Sequence, residues 1–299
     1  MIRATNITKK FGPLTALDGL DLHAKEGSVY GLIGPNGAGK TTLIKILAGI
    51  YRPDGGKVEL CGGSPWENPK VKGQCCYISD DPYFFGSYSL LDTAGLYSSV
   101  YPGWSQERFD KLREVFNIDP KRRPSRFSRG MKKQAAFWLA LSAMPGVLLL
   151  DEPIDGLDPV MRRGVWSLIM QDVAERGLTV LVSSHNLREL EDVCDHVGAM
   201  NGGKIFLEKS LDDAKGDIHK LQLAFNGGLP AGLEERLTIL HRDSLGSVHT
   251  LIVKGSAEEI STAAREYSPL ICEILPLSLE EIFIYEMNRK GYDPTGIII

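Results

Sequence analysis

The stretch that decides the fold is Gly34-Pro35-Asn36-Gly37-Ala38-Gly39-Lys40-Thr41-Thr42. It fits the pattern G-x-x-x-x-G-K-[ST], follows a strand-like run at residues 28–33 and opens a helix-like run at residues 43–48. Glycines let the backbone amides turn inward, and the N-terminal end of the following helix adds partial positive charge. The stretch therefore predicts a loop that binds the phosphates of a nucleotide.

Two side chains of this loop have predicted chemical roles. Lys40 is placed to neutralise the β- and γ-phosphates, and the Thr41 hydroxyl is placed to bind Mg²⁺. A glycine-rich turn with an incidental lysine is the disfavoured alternative, because strand, loop and helix occur in the required order. The predicted nucleotide contacts in the loop are Gly34, Asn36, Gly37, Ala38, Gly39, Lys40, Thr41 and Thr42.

The composition is that of a globular protein, with 43% hydrophobic residues, 24% charged residues and a net charge of -4. This balance gives no charge argument for nucleic-acid binding. The five cysteines show no C-x-x-C spacing, so they indicate neither a zinc site nor a disulfide framework and fit a reducing cytosol. The longest lipid-like run, residues 135–144, is far below the roughly 18 residues that span a bilayer. Any membrane function is therefore expected to require a partner.

Local sequence patterns divide the chain into three regions. Residues 1–210 hold the nucleotide features, with strands around the phosphate loop and a helical insertion at about 82–145. Residues 211–290 mix strands and helices and are expected to form a small α+β appendage of unassigned role. Residues 291–299 are expected to be a tail.

Two predicted buried strands end in polar residues. The apolar residues 147–150 precede Asp151 and Glu152, and the run at 178–183 precedes His185. Because ligands of open α/β sheets bind at the carboxyl ends of the strands, the two acids are expected to be functional. On geometry alone, His185 is more often a hydrogen-bonded structural residue than a catalytic one.

A basic cluster lies near the end of the insertion, where Ser128 is a candidate N-cap for the last helix. Seven of the thirteen residues from Lys121 to Lys133 are basic. A solvated face and a surface for an anionic partner, such as a phosphate or a lipid headgroup, explain such a cluster about equally well.

With these motifs in order, the chain resembles the ATP-binding subunits of ABC transporters over roughly residues 2–211. The resemblance implies an α/β fold: a P-loop NTPase core of the ABC ATPase type, with an antiparallel β subdomain, the helical insertion and the C-terminal appendage. It also changes the expectation for two residues. Phe11, which alone would more often be a buried strand-end residue, matches the aromatic that stacks on adenine. His185 matches the switch histidine.

The same resemblance implies roles for the remaining motifs. Asp151 matches the magnesium-binding acid and Glu152 matches the catalytic base, so that Glu152, His185 and Lys40 form the expected catalytic set. Asp158 lies in the loop that touches the opposite subunit. The family signature, usually written L-S-G-G-Q, corresponds to Ser128, Arg129, Gly130 and Met131, followed by Lys132.

Partners and cofactors also follow from the resemblance. Family members pair head to tail, which implies a second ATPase chain, identical or related, and separately encoded membrane subunits. The Ser128 hydroxyl and the Gly130 amide would then complete the γ-phosphate site of the partner. ATP and Mg²⁺ are implied as cofactors, with Thr41 and Asp151 on the metal. The implied location is cytoplasmic, on the inner face of the cell membrane, and no nucleic-acid partner is expected.

Two residues depart from the family pattern. Asp80 stands where the family has a glutamine, and it is assigned to the metal site with altered coupling; the alternative is that it points to solvent and the role is weakened. Arg129 replaces a glycine of the signature. It either adds a cation near the γ-phosphate in trans or is a plain surface arginine.

The function that these motifs favour is the ATP-hydrolysing subunit of a transporter, most similar to exporters of the antibiotic-resistance type. A soluble non-transport ABC ATPase, for example in cofactor assembly, is the main alternative because its sequence would look similar. A regulatory module that binds ATP without hydrolysing it is disfavoured, because Lys40, Asp151, Glu152 and His185 are all present.

Overall fold

The computed structural model describes residues 1–210, 218–226, 228–275, 277–278 and 280–282. The chain divides into two compact units, Met1–Glu208 and Lys209–Ile299. The expected tail and residues 283–290 of the expected appendage lie outside the described residues.

The first unit contains two sheets and seven helices among its described residues. Its strands are β1 (Ile2–Phe11), β2 (Leu14–Ala24), β3 (Val29–Ile33), β4 (Gly55–Leu60), β5 (Cys75–Ile78), β6 (Val147–Asp151), β7 (Thr179–Ser184), β8 (His196–Asn201) and β9 (Lys204–Ser210). Its helices are α1 (Lys40–Leu47), α2 (Pro69–Lys72), α3 (Leu90–Val100), α4 (Gln106–Phe116), α5 (Arg129–Ser142), α6 (Pro159–Arg176) and α7 (Arg188–Glu191), with a 3₁₀ turn at Pro124–Arg126 before α5.

The larger sheet has the strand order β5-β6-β7-β3-β8-β9. Strands β5, β6, β7, β3 and β8 pair in parallel, and every residue of β3, β6 and β7 is buried. Continuous apolar strands are typical of parallel sheets that are covered on both faces. The carboxyl ends of β3, β6 and β7 therefore lie side by side, and the segments after them meet at one edge of the sheet.

The smaller sheet is antiparallel, with the order β2-β1-β4. One apolar core joins it to the parallel sheet through α1, and it includes Ile7 and Leu20 from the small sheet, Leu32 and Leu149 from the large sheet and Leu43 from α1. The helix that follows the phosphate loop is thus fixed by packing on both sheets.

The insertion between β5 and β6 contains α3, α4 and α5. Helical spacing in α4 buries Phe109, Leu112 and Phe116, whereas Val115, which the same spacing places on the apolar face, is exposed. The Phe109 ring stacks on Trp138 of α5 at 4.6 Å between ring centroids, and the Trp138 indole N–H donates to the Phe109 carbonyl at 2.8 Å. This contact fixes α4 against α5.

The second unit has an antiparallel sheet in the order β11-β12-β10-β13, formed by β10 (Ile218–Ala224), β11 (Thr238–Leu245), β12 (Val248–Lys254) and β13 (Ile271–Leu275). Two helices, α8 (Ala231–Arg236) and α9 (Ala257–Arg265), accompany it. Leu221, Leu251 and Ile260 belong to its own apolar core. Every helix among the described residues of the chain is too short or too polar to cross a bilayer.

Candidate active site

A cavity of about 520 Å³ lies at the phosphate loop and at the carboxyl end of β6. It brings together most of the predicted nucleotide, metal and catalytic residues from distant parts of the chain. The predicted residues that line it are Phe11, Asn36, Gly37, Ala38, Gly39, Lys40, Thr41, Thr42, Asp80, Asp151 and Glu152. Residues that the sequence did not indicate also line it, namely Leu14, Thr15 and Ala16 at the start of β2, and Gly202 and Gly203 between β8 and β9.

Gly39 starts α1 in a conformation that requires glycine. Its φ is 107°, and a Cβ at this position would lie 2.6 Å from the Ala16 carbonyl oxygen. A side chain would therefore have both an unfavourable backbone and no space. The close approach of β2 to the loop explains why the first residues of β2 line the cavity.

The Lys40 side chain lies inside the loop. Its Nζ donates to the carbonyl oxygens of Gly34 at 2.6 Å and Pro35 at 3.3 Å, and it stands 3.5 Å from Glu152 Oε1. Only 6% of the side chain is exposed. The cation is thus held at the phosphate loop and next to the carboxylate that follows β6.

Thr41 and Asp151 place a hydroxyl and a carboxylate next to each other. Thr41 Oγ1 donates to Asp151 Oδ1 at 3.1 Å, and Ser183 Oγ of β7 donates to the same oxygen at 2.8 Å. A carboxylate and a hydroxyl beside a phosphate site form the all-oxygen donor set that suits Mg²⁺, which usually takes one or two carboxylates together with phosphate and water. The residues present therefore fit the metal.

Tyr77 of β5 lies near the same acid. Burial raises the pKa of the Tyr77 hydroxyl well above its ordinary value, and the negative charge of Asp151 adds to this shift. The phenol is therefore neutral, and it adds no second negative charge beside Asp151.

Glu152 combines an unusual backbone with two polar partners. Its φ of 46° lies in the left-handed region, which is uncommon for a residue with a side chain. Its amide donates to Ser183 Oγ at 3.1 Å, and its Oε2 lies 2.8 Å from His185 Nδ1. Asp155 joins this group, because ligand atoms of Glu152, Asp155 and His185 lie within 4.8 Å of one another. The predicted base and the predicted switch histidine are thus in direct contact.

Asp80 is held by two cations of α5. Its Oδ1 accepts from Arg129 Nη2 at 2.7 Å and from Lys133 Nζ at 3.0 Å. Partial burial raises the pKa of the Asp80 carboxyl, but the hydrogen bonds from Lys133 and Arg129 outweigh burial, so its pKa lies below the ordinary value. Neither of the alternatives for Asp80 or for Arg129 included this pairing. The roles of both residues toward the metal and the phosphate remain proposals.

The signature residues begin α5. Ser128 is the N-cap, and its Oγ accepts from the Met131 amide at 3.2 Å. A Cβ on Gly130 would lie 2.5 Å from the carbonyl oxygen of Gly156, so the signature packs against the segment that follows β6. Among the described residues that line the nucleotide cavity, none belongs to Ser128–Met131.

Asp158 caps a helix of its own chain. Its Oδ1 accepts from the amides of Val160 and Met161, at 3.1 Å and 3.0 Å, at the start of α6. This bond fixes the end of the segment that runs from Glu152 past Gly156 to α6.

The chain matches the ABC transporter family over residues 17–155. It is 30% identical over 290 residues to the ABC transporter ATP-binding protein YtrB of Bacillus subtilis, a match that covers 97% of this chain and 99% of YtrB. It is 33% identical to the bacitracin transport ATP-binding protein BcrA of Bacillus licheniformis, over 72% of this chain and 71% of BcrA.

The chain belongs to the ATP-binding proteins of ABC transporters. It binds and hydrolyses ATP as the nucleotide-binding subunit of a transporter. The prediction of the family and of its ATPase activity is thereby confirmed.

Solved structures confirm the predicted fold class. The chain matches the structure of an ATP-binding subunit of an ABC transporter with a TM-score of 0.68 and 25% identity, over 72% of this chain and 92% of the other. It also matches a dimeric cassette bound to ADP and phosphate with a TM-score of 0.64 and 22% identity, over 71% of this chain and 99% of that one. The α/β cassette fold is therefore shared with both.

Sequence reasoning missed two polar residues of the site. The sequence pattern predicts Ser183 only as the end of a strand and Lys133 only as one member of a basic cluster. Ser183 carried a usable signal, because it is a polar residue at the carboxyl end of a buried parallel strand. Lys133 carried a weaker signal. In a helix that follows the Ser128 N-cap, Lys133 lies one turn after Arg129 and on the same face.

Proposed function

We propose that this chain is the energy-supplying cassette of an exporter of the antibiotic-resistance type. It would act at the inner face of the cell membrane through separately encoded membrane subunits. The similarity to a bacitracin transport ATP-binding protein supports this class. A second support is an exposed aromatic group, Tyr83, Phe85 and Tyr88, at the start of the helical insertion, where ring centroids lie 5.8 Å and 5.2 Å apart. Exposed aromatic groups of this kind are typical of protein interaction sites.

In the proposed chemistry, Glu152 orients or deprotonates the attacking water. Its contact with His185 at 2.8 Å is the observation that carries this assignment, because it places a base and a second polar group together at the phosphate loop. Lys40 neutralises phosphate charge, and Phe11, which is 42% exposed at the cavity, stacks on adenine. Thr41 and Asp151 would hold Mg²⁺, which supplies positive charge to the phosphates.

The site is proposed to need a second cassette. Ser128 and Gly130 lie at the start of α5 and do not line the described nucleotide cavity of their own chain. A helix N-terminus with a hydroxyl that can donate and with backbone amides is suited to a γ-phosphate, so these groups would serve the cavity of a partner. ATP would then join the two chains.

The Glu152→Gln variant tests this proposal. It keeps the shape of the side chain and removes the base, so we expect ATP turnover to fall by about 10²- to 10⁴-fold. Because this variant does not consume ATP, the ATP-bound dimer should persist. Light scattering is therefore expected to give a dimer with ATP and Mg²⁺ and a monomer without nucleotide. Lys40→Ala is the control, and it should stay monomeric under both conditions.

Two outcomes would contradict the proposal. Undiminished turnover by Glu152→Gln would remove Glu152 from the chemistry. ATP binding by a variant that stays monomeric, even when it is co-expressed with the membrane subunits, would remove the trans role of Ser128 and Gly130.

A further inference from the structure

Lys133 is a fully buried cation in the site, and the proposed chemistry does not use it. It lies on α5, one turn after Arg129, and its side chain has 0% exposure. Lysine is almost never fully buried unless it is paired. The role of Lys133 therefore follows from the groups that its ammonium contacts.

The Nζ of Lys133 joins two segments that are far apart in the chain. It donates to the backbone carbonyl oxygen of Glu152 at 2.6 Å and to Asp80 Oδ1 at 3.0 Å. Arg129 donates to the same Asp80 oxygen at 2.7 Å. The first two turns of α5 thus hold Asp80 with two cations, and one of these cations also reaches the main chain of Glu152.

The bond to Glu152 acts on a backbone that needs support. A non-glycine residue in the left-handed region is strained and persists only when its surroundings fix it. Glu152, with φ of 46°, is fixed on both sides: its amide donates to Ser183 Oγ, and its carbonyl accepts from Lys133. The direction of this backbone sets where the Glu152 carboxylate stands relative to His185 and Lys40.

We propose that Lys133 is a positioning residue for ATP hydrolysis. It fixes the left-handed backbone of Glu152 and uses Asp80 as its counter-charge. Because Lys133 and the signature residues share one helix, a shift of α5 on contact with a second cassette is transmitted to the Glu152 of the same chain. This inference rests on the proposed role of Glu152 as the base.

A purely structural ion pair makes a different prediction. Replacement of a buried ion pair by apolar groups of similar volume is often neutral or stabilising. In Lys133→Met the long unbranched side chain is kept and Asp80 retains Arg129, so no charge is left unpaired. A structural pair would then leave turnover unchanged, whereas a positioning role predicts a loss of turnover without a loss of ATP binding.

The experiment measures kcat, the KM for ATP, the affinity for a fluorescent ATP analogue and the unfolding temperature. For Lys133→Met we expect kcat to fall about 10- to 100-fold, the cost of a misplaced catalytic group. KM and analogue affinity are expected to stay close to those of the parent protein. Lys133→Arg keeps a cation that reaches both oxygens and is expected to recover part of kcat. Lys121→Met, a change to an exposed lysine of the same basic cluster, is the matched control and should leave all four quantities unchanged.

The pair with Asp80 gives a second test that does not depend on the folding of Lys133→Met. Asp80→Asn alone should also lower kcat without raising KM, because Lys133 loses its counter-charge. The double variant Asp80→Asn with Lys133→Met should lose less than the product of the two single losses, because both changes break one unit.

Parent-like turnover in Lys133→Met would overturn the inference. It would also be overturned if Lys133→Arg recovers none of the lost kcat and if Lys133→Met loses analogue binding and unfolding temperature to the same extent as kcat. Independent, multiplying effects of the Asp80 and Lys133 changes would also overturn it. The Glu152→Gln variant separates the two proposals. If Glu152→Gln is inactive while Lys133→Met is fully active, only the positioning role fails; if Glu152→Gln is active, the proposed role of Glu152 fails.

Discussion

At the scale of single residues, the signature and the segment after β6 meet at a point that admits only glycine. A Cβ on Gly130 would stand 2.5 Å from the Gly156 carbonyl oxygen, so Gly130→Ala must move one of the two segments. Overpacking of this kind typically costs about 1–3 kcal/mol. We expect Gly130→Ala to lower the free energy of unfolding by this amount, measured by urea denaturation, and to lower ATP turnover because the displaced segment starts at Glu152.

Gly164→Ala is the matched control for this change. Gly164 lies within α6, and a Cβ there would meet no atom within 4 Å. Since alanine is favoured over glycine inside a helix by roughly 0.5–1 kcal/mol, this variant should be stabilised. The two variants should therefore shift in opposite directions; equal stabilities would show that the signature turn yields to a methyl group without cost.

At the scale of elements, one buried carboxylate ties the helical insertion to the core. Asp172 of α6 is 1% exposed and accepts from Arg108 of α4 at 2.6 Å and from Arg176 at 2.9 Å. Asp172→Ala would leave both guanidinium groups without their acid. We expect a loss of about 2–4 kcal/mol in the free energy of unfolding, less than for fully buried pairs because both arginines keep some contact with solvent.

Glu107→Ala provides the comparison on the same helix. Glu107 pairs with Lys111 at 2.6 Å, but both side chains are more than 70% exposed, at 78% and 74%. An exposed pair of this kind adds little to stability because solvent screens the two charges. Similar denaturation midpoints for the Asp172 and Glu107 variants would mean that the contact between α4 and α6 does not support the insertion.

At the scale of the whole molecule, the chain consists of two units with separate apolar cores. Ile7, Leu32 and Leu43 belong to one core, and Leu221 and Leu251 to the other. Units with their own cores generally fold independently. A chain that ends at Ser210 is therefore expected to unfold in one cooperative transition, measured by circular dichroism, and to bind the fluorescent ATP analogue as tightly as the full chain.

The reciprocal fragment completes this test. A chain that starts at Lys209 should show the circular dichroism of a folded α+β protein and no affinity for the analogue. An insoluble or non-binding chain ending at Ser210 would show that the cassette depends on the C-terminal unit, and the boundary proposed at residue 210 would have to be abandoned.

The sequence by itself determined the features that depend on local rules. Three such features depend only on residues close together in the sequence. They are the phosphate loop between a strand and a helix, the apolar run before Asp151, and the helical spacing of Phe109, Leu112 and Phe116. These patterns follow the periods of strands and helices, about 2.0 and 3.6 residues, and the conformational freedom of glycine. Through the family resemblance that these motifs carry, they predict the fold class and most of the residues that line the cavity.

Only the tertiary structure decided which polar groups pair. From the sequence, the basic cluster before and within α5 is compatible with both a solvated face and an anion site. In the structure, Lys133 is buried and donates to Asp80 and to the Glu152 carbonyl, which are 53 and 19 residues away. The pairing of Ser183 with Asp151 spans 32 residues. Charge and hydrogen-bonding capacity are properties of a residue type, but the partner that satisfies them is set by the packing of strands and helices from distant parts of the chain.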